Sequence, residues 1–200
     1  MSKSRNWVIS APYILDKYPV DALRFYLSWN MPEEKEMDFV WRDFIKTNNS
    51  ILVGTVGNLI HRVFSLAKGG EYLVSPHSDI IKKVGQLIEK GEFRLAIREA
   101  VELASSGNRL VDDYQLWKLI KEDPQKAKKA FTEIFSIIDT LRVVLSPFLP
   151  EAMEELARVT KRPITRWEEK RGKMTVPRSS KPLLTKIPEE KIKEEEEKLK

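Results

Sequence analysis

Cysteine is missing from all 200 residues of this chain, which excludes disulfides and thiolate metal sites. No uninterrupted apolar run approaches the ~20 residues needed to span a bilayer, and no signal-peptide pattern opens the chain. Carboxylates such as Asp112, Asp113 and the run Glu194 to Glu197 lack metal-ligand or acid/base spacing and read as solvated. No metal site is therefore expected. These absences fit a cytoplasmic protein without a membrane partner.

What remains is ample material for a core, with 42% apolar residues, and a rather high 32% of charged ones. The net charge of +5 is modest, so its distribution is more informative than its size. Between Lys161 and Lys181 stand eight Lys/Arg against Glu168 and Glu169. Such a segment suits a polyanionic partner, and it equally suits a solvated linker.

Proline and glycine divide the chain into stretches with helical periodicity. From Asp43 to Lys68 a stripe of Phe44, Leu52, Val56, Leu59, Val63 and Leu66 predicts a helix ended by Gly69 and Gly70. Ser78 and Asp79 are placed to cap a second helix through Lys90. Phe93 to Asp113 reads as a third, Pro124 to Leu145 as a fourth and Glu151 to Val159 as a short fifth. Ahead of them, Trp7 to Ile9 suggests a strand and Val20 to Asn30 a helix. At the other end Glu189–Lys193, Glu194–Lys198 and Glu196–Lys200 have the favoured i,i+4 order. Ile187, Ile192 and Leu199 are the available anchors there. The fold class is all-α, a bundle in which each helix buries one stripe.

Four short motifs punctuate this framework. The chain opens Met1, Ser2, Lys3, Ser4, Arg5. Asp21 to Leu27 and then Met31-Pro32 follow, next the aromatic run Asp38 to Phe44, and then Gly57 to Arg62. Their order, spacing and residue types resemble the C-terminal half of methionyl-tRNA synthetases, members of the class I aminoacyl-tRNA synthetases. The opening residues match the tail of that class's lysine-methionine-serine-lysine-serine signature, and the resemblance runs over essentially the whole chain. Two departures stand out: the first signature lysine is not in the chain, and Asn6 follows Arg5 where the family commonly has glycine.

The resemblance implies a division into a signature loop and connecting stem (1–42), an anticodon-binding helical bundle (43–160), and a basic linker with a C-terminal return helix (161–200). Lys3 matches the signature lysine implied to contact ATP. A compact ammonium on a flexible stem suits the charge that builds up as pyrophosphate leaves. Lys3 alone catalyses nothing. No nucleotide-binding half precedes the signature in this chain, and neither His61 nor His77 lies in a His-Ile-Gly-His-like motif. Catalysis is thus expected to need a nucleotide-binding half, in the same or a separate chain.

Asn58 and Arg62 match the family's helix asparagine and the arginine four residues on that contact the CAU anticodon of methionine tRNA. At ~100° per residue they sit roughly 100° round from the centre of the apolar stripe, on the bundle's flank. Trp117 lies where the family places a base-stacking tryptophan, although Leu116 precedes it where many relatives have proline. Asn108, Arg109 and His61 are further candidates for lining the site. Taken singly, Trp117 fits a core, Asn58 a flank hydrogen bond and Arg62 a surface ion pair. Two alternatives to the ligase reading stand: a non-catalytic RNA-binding bundle, and a portion of another class Ia synthetase.

Overall fold

The computed structural model describes residues 11–32, 38–164, 167, 170–179 and 181–198. Lys3 and the expected strand at Trp7 to Ile9 lie outside them. Helices α1 (Ala11–Lys17) and α2 (Val20–Trp29) precede one continuous helix, α3 (Trp41–Ala67). Then come β1 (Gly70–Val74), α4 (Ser78–Glu89), α5 (Phe93–Asp113), α6 (Leu116–Glu122) and α7 (Pro124–Val144). The described chain closes with α8 (Pro150–Thr160), β2 (Gly172–Val176) and α9 (Glu190–Glu197). The all-α expectation holds for the bundle; α6 and the two strands are additions to it.

The middle of α3, Thr47–Gly57, is π-helical, and the burial pattern gives a reason. Phe44, Asn48, Leu52, Val56, Ile60 and Phe64 are all buried and stand four residues apart. On a plain α-helix that spacing would carry the stripe about 40° round at every step. The wider π turn offsets the drift and keeps these side chains against the same neighbours. By length and composition α3 could also cross a membrane. Here its apolar side is occupied by the bundle core.

That core is built from α3, α4, α5, α7 and α8, with Ile97, Ile134, Phe135, Ile138 and Leu141 fully buried at its centre. Asp123 caps α7 by accepting from the Lys126 amide at 2.9 Å, with Pro124 in the first turn. The expected side-chain cap on α4 is absent. Instead, the Ser75 and His77 amides donate to Ser136 and Thr140 of α7, which fixes the loop before α4.

The described residues after α8 include a strand. β2 pairs antiparallel with β1, Gly70 opposite Val176 and Val74 opposite Gly172. Tyr72, Val74, Met174 and Val176 face the core, while Glu71 and Lys173 stay outside. Each strand has five residues and carries just two inward apolar side chains, too little alternation to read from sequence. Asp139, fully buried on α7, takes Arg142 at 2.8 Å and also both Nε and Nη2 of Arg162. The indole of Trp167 packs on Gly85 and donates to the Ile81 carbonyl at 3.2 Å. It anchors the tail.

A second apolar cluster joins α1, α2, the first turn of α3 and Ile187. Phe39, Trp41, Phe44, Tyr18 and Tyr26 meet largely edge to face, for example Phe39 and Trp41 at 5.1 Å. Asn48 and Asn49 bind the returning backbone, with Asn49 exchanging two hydrogen bonds with Ile187. Glu195 corrects the solvated reading of the acidic run. It is 2% exposed and accepts from Tyr13 at 2.6 Å, Tyr18 at 3.0 Å and Lys198 at 3.0 Å. Drawing Glu195 inward changes the pairing along α9 to Lys191–Glu194 and Lys198–Glu195, three residues apart, while Glu196 faces Arg42 at 3.8 Å.

Candidate nucleic-acid interface

Side chains that read single-stranded bases need rigid backbone behind them and open solvent in front. The last turns of α3, the C-terminal half of α5 and the start of α6 meet both conditions. Leu59, Val63 and Val111 are fully buried between them. Gly107 lets α3 and α5 approach closely: a Cβ there would stand 2.7 Å from Leu59 Cδ2.

Gln115 has a left-handed backbone, with φ of 45°. That sharp turn between α5 and α6 puts Leu116 in the core, fully buried, and leaves Trp117 outside, 41% exposed. Leu116 therefore acts as the peg of α6. Trp117 is not a core tryptophan.

The three principal candidates converge. The Arg62 guanidinium carbon lies 5.4 Å from the centre of the Trp117 ring, a cation–π geometry. Asn58 stands one helical turn before Arg62 and is exposed. Two further residues complete the patch from α5. Asn58 Nδ2 donates to Asn108 Oδ1 at 3.0 Å, and Arg62 Nη2 donates to Asp112 Oδ1 at 2.6 Å. Arg62 thereby holds the Asp112 carboxyl below its usual range through that hydrogen bond. Asn58 and Arg62 make the flank bond and the surface ion pair that each alone would suggest, and they remain accessible while doing so.

Asp112 is solvated as expected, yet it also pairs with Arg62, a partnership not foreseen from the sequence. A signal for it was present: Asn58 and Arg62 stand four apart on α3, and Asn108 and Asp112 stand four apart on α5. Equal spacing on two packed helices lets the pairs meet in register. Of the secondary candidates Asn108 joins the patch. Arg109 instead turns back along α5 to Glu102 at 2.9 Å, and His61 is exposed on α3 beside the pair. The patch is an open surface. A groove of about 610 Å³ lies elsewhere, lined by Ser146, Pro150, Glu154, Ala157, Arg158 and Lys161.

Comparison with known proteins places the chain in a family. Residues 1–64 match the family model described as tRNA synthetases class I (M), and residues 65–199 match the anticodon binding domain of methionyl tRNA ligase. The methionine–tRNA ligase of Roseiflexus sp. (strain RS-1) is 35% identical over 78% of this chain and 29% of its own length. That of Methanobrevibacter smithii is 33% identical over the whole chain and 33% of its own length. The chain thus spans about a third of the relatives it matches. A crystal structure of apo methionyl-tRNA synthetase from Mycobacterium tuberculosis superposes with a TM-score of 0.69, covering 90% of this chain and 41% of that one. At 14% identity this similarity speaks for the fold alone. With more than half of its residues matched by the anticodon-binding family model, the chain belongs to the methionyl-tRNA synthetase family.

Proposed function

We propose that this chain is the C-terminal part of a methionine–tRNA ligase, and that it recognises the CAU anticodon of methionine tRNA through Asn58, Arg62 and Trp117. The observation that carries this reading is the convergence of an exposed indole, a guanidinium 5.4 Å from its ring and an amide one turn away. Trp117 offers a π-face on which one unpaired base stacks, worth ~1–3 kcal/mol by truncation. Asn58 and Arg62 offer hydrogen bonds to the base edges beside it.

In the same reading residues 1–42 form the signature loop and stem, 43–160 the anticodon-binding bundle, and 161–200 the basic linker and return helix. Lys3 reaches ATP, a substrate bound together with the enzyme's nucleotide-binding half, which is the second partner besides tRNA. Its ammonium stabilises charge on the departing pyrophosphate as methionine is activated. The setting is the cytoplasm, where tRNA is charged.

The test is binding of anticodon stem-loops to the 200-residue chain. A CAU stem-loop is expected to bind more tightly than the same stem-loop with permuted anticodons, and Trp117→Ala is expected to weaken CAU binding while helix content is kept. Affinity indifferent to the anticodon would favour a non-catalytic RNA-binding bundle. For the ligase half, joining the chain to a nucleotide-binding half is expected to restore methionylation, and Lys3→Ala to abolish most of the gain. No gain on joining would contradict it.

A further inference from the structure

Asn58 can present either a carbonyl oxygen or an amino group to a base, and the two choices select opposite bases. An asparagine alone on a helix surface rotates between them. Here the choice is made by a second amide behind it. Asn108 Nδ2 donates to the Thr55 carbonyl at 3.0 Å and to the Ala104 carbonyl at 3.1 Å. Both partners are acceptors, so only the amino end of Asn108 fits there. Its Oδ1 must therefore point out of α5 toward α3, where it accepts from Asn58 Nδ2 at 3.0 Å. The oxygen of Asn58 is left facing outward, and among the described residues nothing donates to it.

We propose that Asn108 is a positioning residue: it passes the polarity of the Thr55 and Ala104 carbonyls to the surface and locks Asn58 as an acceptor. This deepens the anticodon reading and rests on it. Thr55 belongs to the π segment of α3, and the close approach at Gly107 brings Asn108 within reach of it. The irregular helix is therefore part of the device.

An outward acceptor beside the all-donor guanidinium of Arg62 matches a base that carries an exocyclic amino group next to a ring acceptor. Cytosine and adenine have that pattern. Uracil and guanine present a keto oxygen, which would face the Asn58 oxygen and be repelled. Asn58 thus selects amino over keto bases, and Asn108 is what makes it do so.

The experiment uses the 200-residue chain and CAU stem-loops in which the cytosine is replaced by uracil or by 2-pyrimidinone, which lacks the exocyclic group. The unaltered protein is expected to bind cytosine best, 2-pyrimidinone next and uracil worst, with about tenfold between the extremes. Asn108→Ala frees the Asn58 amide to turn over, so the cytosine-to-uracil ratio is expected to fall severalfold toward one. In an Asn58→Ala background the same change is expected to leave the ratio where it was. A general packing role would lower all affinities together and leave the ratio intact.

A protein that discriminates the anticodons but keeps its cytosine-to-uracil ratio in Asn108→Ala overturns the relay and leaves the anticodon reading standing. A protein that ignores the anticodon altogether overturns both. Should Asn108→Ala fail to fold, the order of the three pyrimidines on the unaltered protein decides: uracil binding as well as cytosine would contradict a locked acceptor.

Discussion

Two hydrogen-bonded polar clusters meet opposite fates in this molecule. Beneath α9, Glu195 is 2% exposed and satisfied by two tyrosines and a lysine. On the α3–α5–α6 face, Asn58, Arg62, Asn108 and Asp112 are likewise paired, yet their outer atoms meet solvent beside an indole 41% exposed. The difference lies in what backs and what covers each cluster. The first is enclosed by the aromatic group of Tyr18, Trp41 and Phe44, and its hydrogen bonds serve docking. The second is backed by packed helices and left uncovered, and in the proposed function its hydrogen bonds arrange groups for a ligand. Burial separates the cluster that docks α9 from the one left open to solvent.

Removal of Glu195 has the largest expected effect. Glu195→Ala leaves the Tyr18 hydroxyl without its buried acceptor and is expected to cost about 3 kcal/mol, read from chemical denaturation. Anticodon stem-loop affinity is expected to hold. A loss of affinity without a loss of stability would reverse the two assignments.

Acid tests the same cluster without mutation. Burial raises the Glu195 pKa, but the hydrogen bonds from Tyr13, Lys198 and Tyr18 outweigh it, so the net shift is downward. A carboxylate with a depressed folded pKa stabilises fully above its unfolded value, and the stabilisation is lost as pH falls through the folded one. The α9 segment is expected to loosen below about pH 4, seen as faster backbone amide exchange at Glu195 and its neighbours. Asp21 runs the opposite way. Burial pushes its carboxyl up despite the amides of Ala152 and Glu151 that it accepts at the start of α8. Its raised folded pKa means that its contribution falls as pH rises through that value.

On the recognition side, Trp117→Ala is expected to weaken stem-loop binding by ~2 kcal/mol, with the thermal midpoint little changed because the ring is outside the core. Gly107→Val touches both the core and the exposed patch. Its side chain would press on Leu59, costing on the order of 1 kcal/mol or somewhat more in stability, and it would push Asn108 away from Thr55. Reduced stability together with reduced discrimination among stem-loops is the expected signature. The smallest effect belongs to Asp112→Asn: its ion pair with Arg62 is exposed, so no measurable change in the thermal midpoint is expected.

Much of this architecture was legible in the sequence because it rests on local rules. The boundaries of α5 and α7 follow from Phe93 and Asp113, and from Pro124 with its apolar stripe, within a residue. The shared exposed face of Asn58, Arg62 and Trp117 was legible through spacing and resemblance. What escaped depended on partners distant in sequence. β1 and β2 lie about 100 residues apart, and neither has a pattern of its own. Glu195 is buried by Tyr13 and Tyr18, more than 170 residues away, so its burial cannot be read from an acidic run. The π segment was hidden because a four-residue repeat resembles a helical stripe until its drift is summed over several turns. Asn108 had been named, but its role depends on a carbonyl of another helix.

In the proposed function one uncovered patch, and no other part of the surface, meets the anticodon. An NMR titration of the chain with a CAU stem-loop tests it most directly, following the side-chain N–H signals of the tryptophans and asparagines. The account predicts shifts at the Trp117 indole and at the Asn58 and Asn108 amides, with the Trp41 indole and the Asn49 amide still. Shifts at Trp167, or at Trp41 and Asn49 near α9, with Trp117 unmoved, would place the anticodon elsewhere.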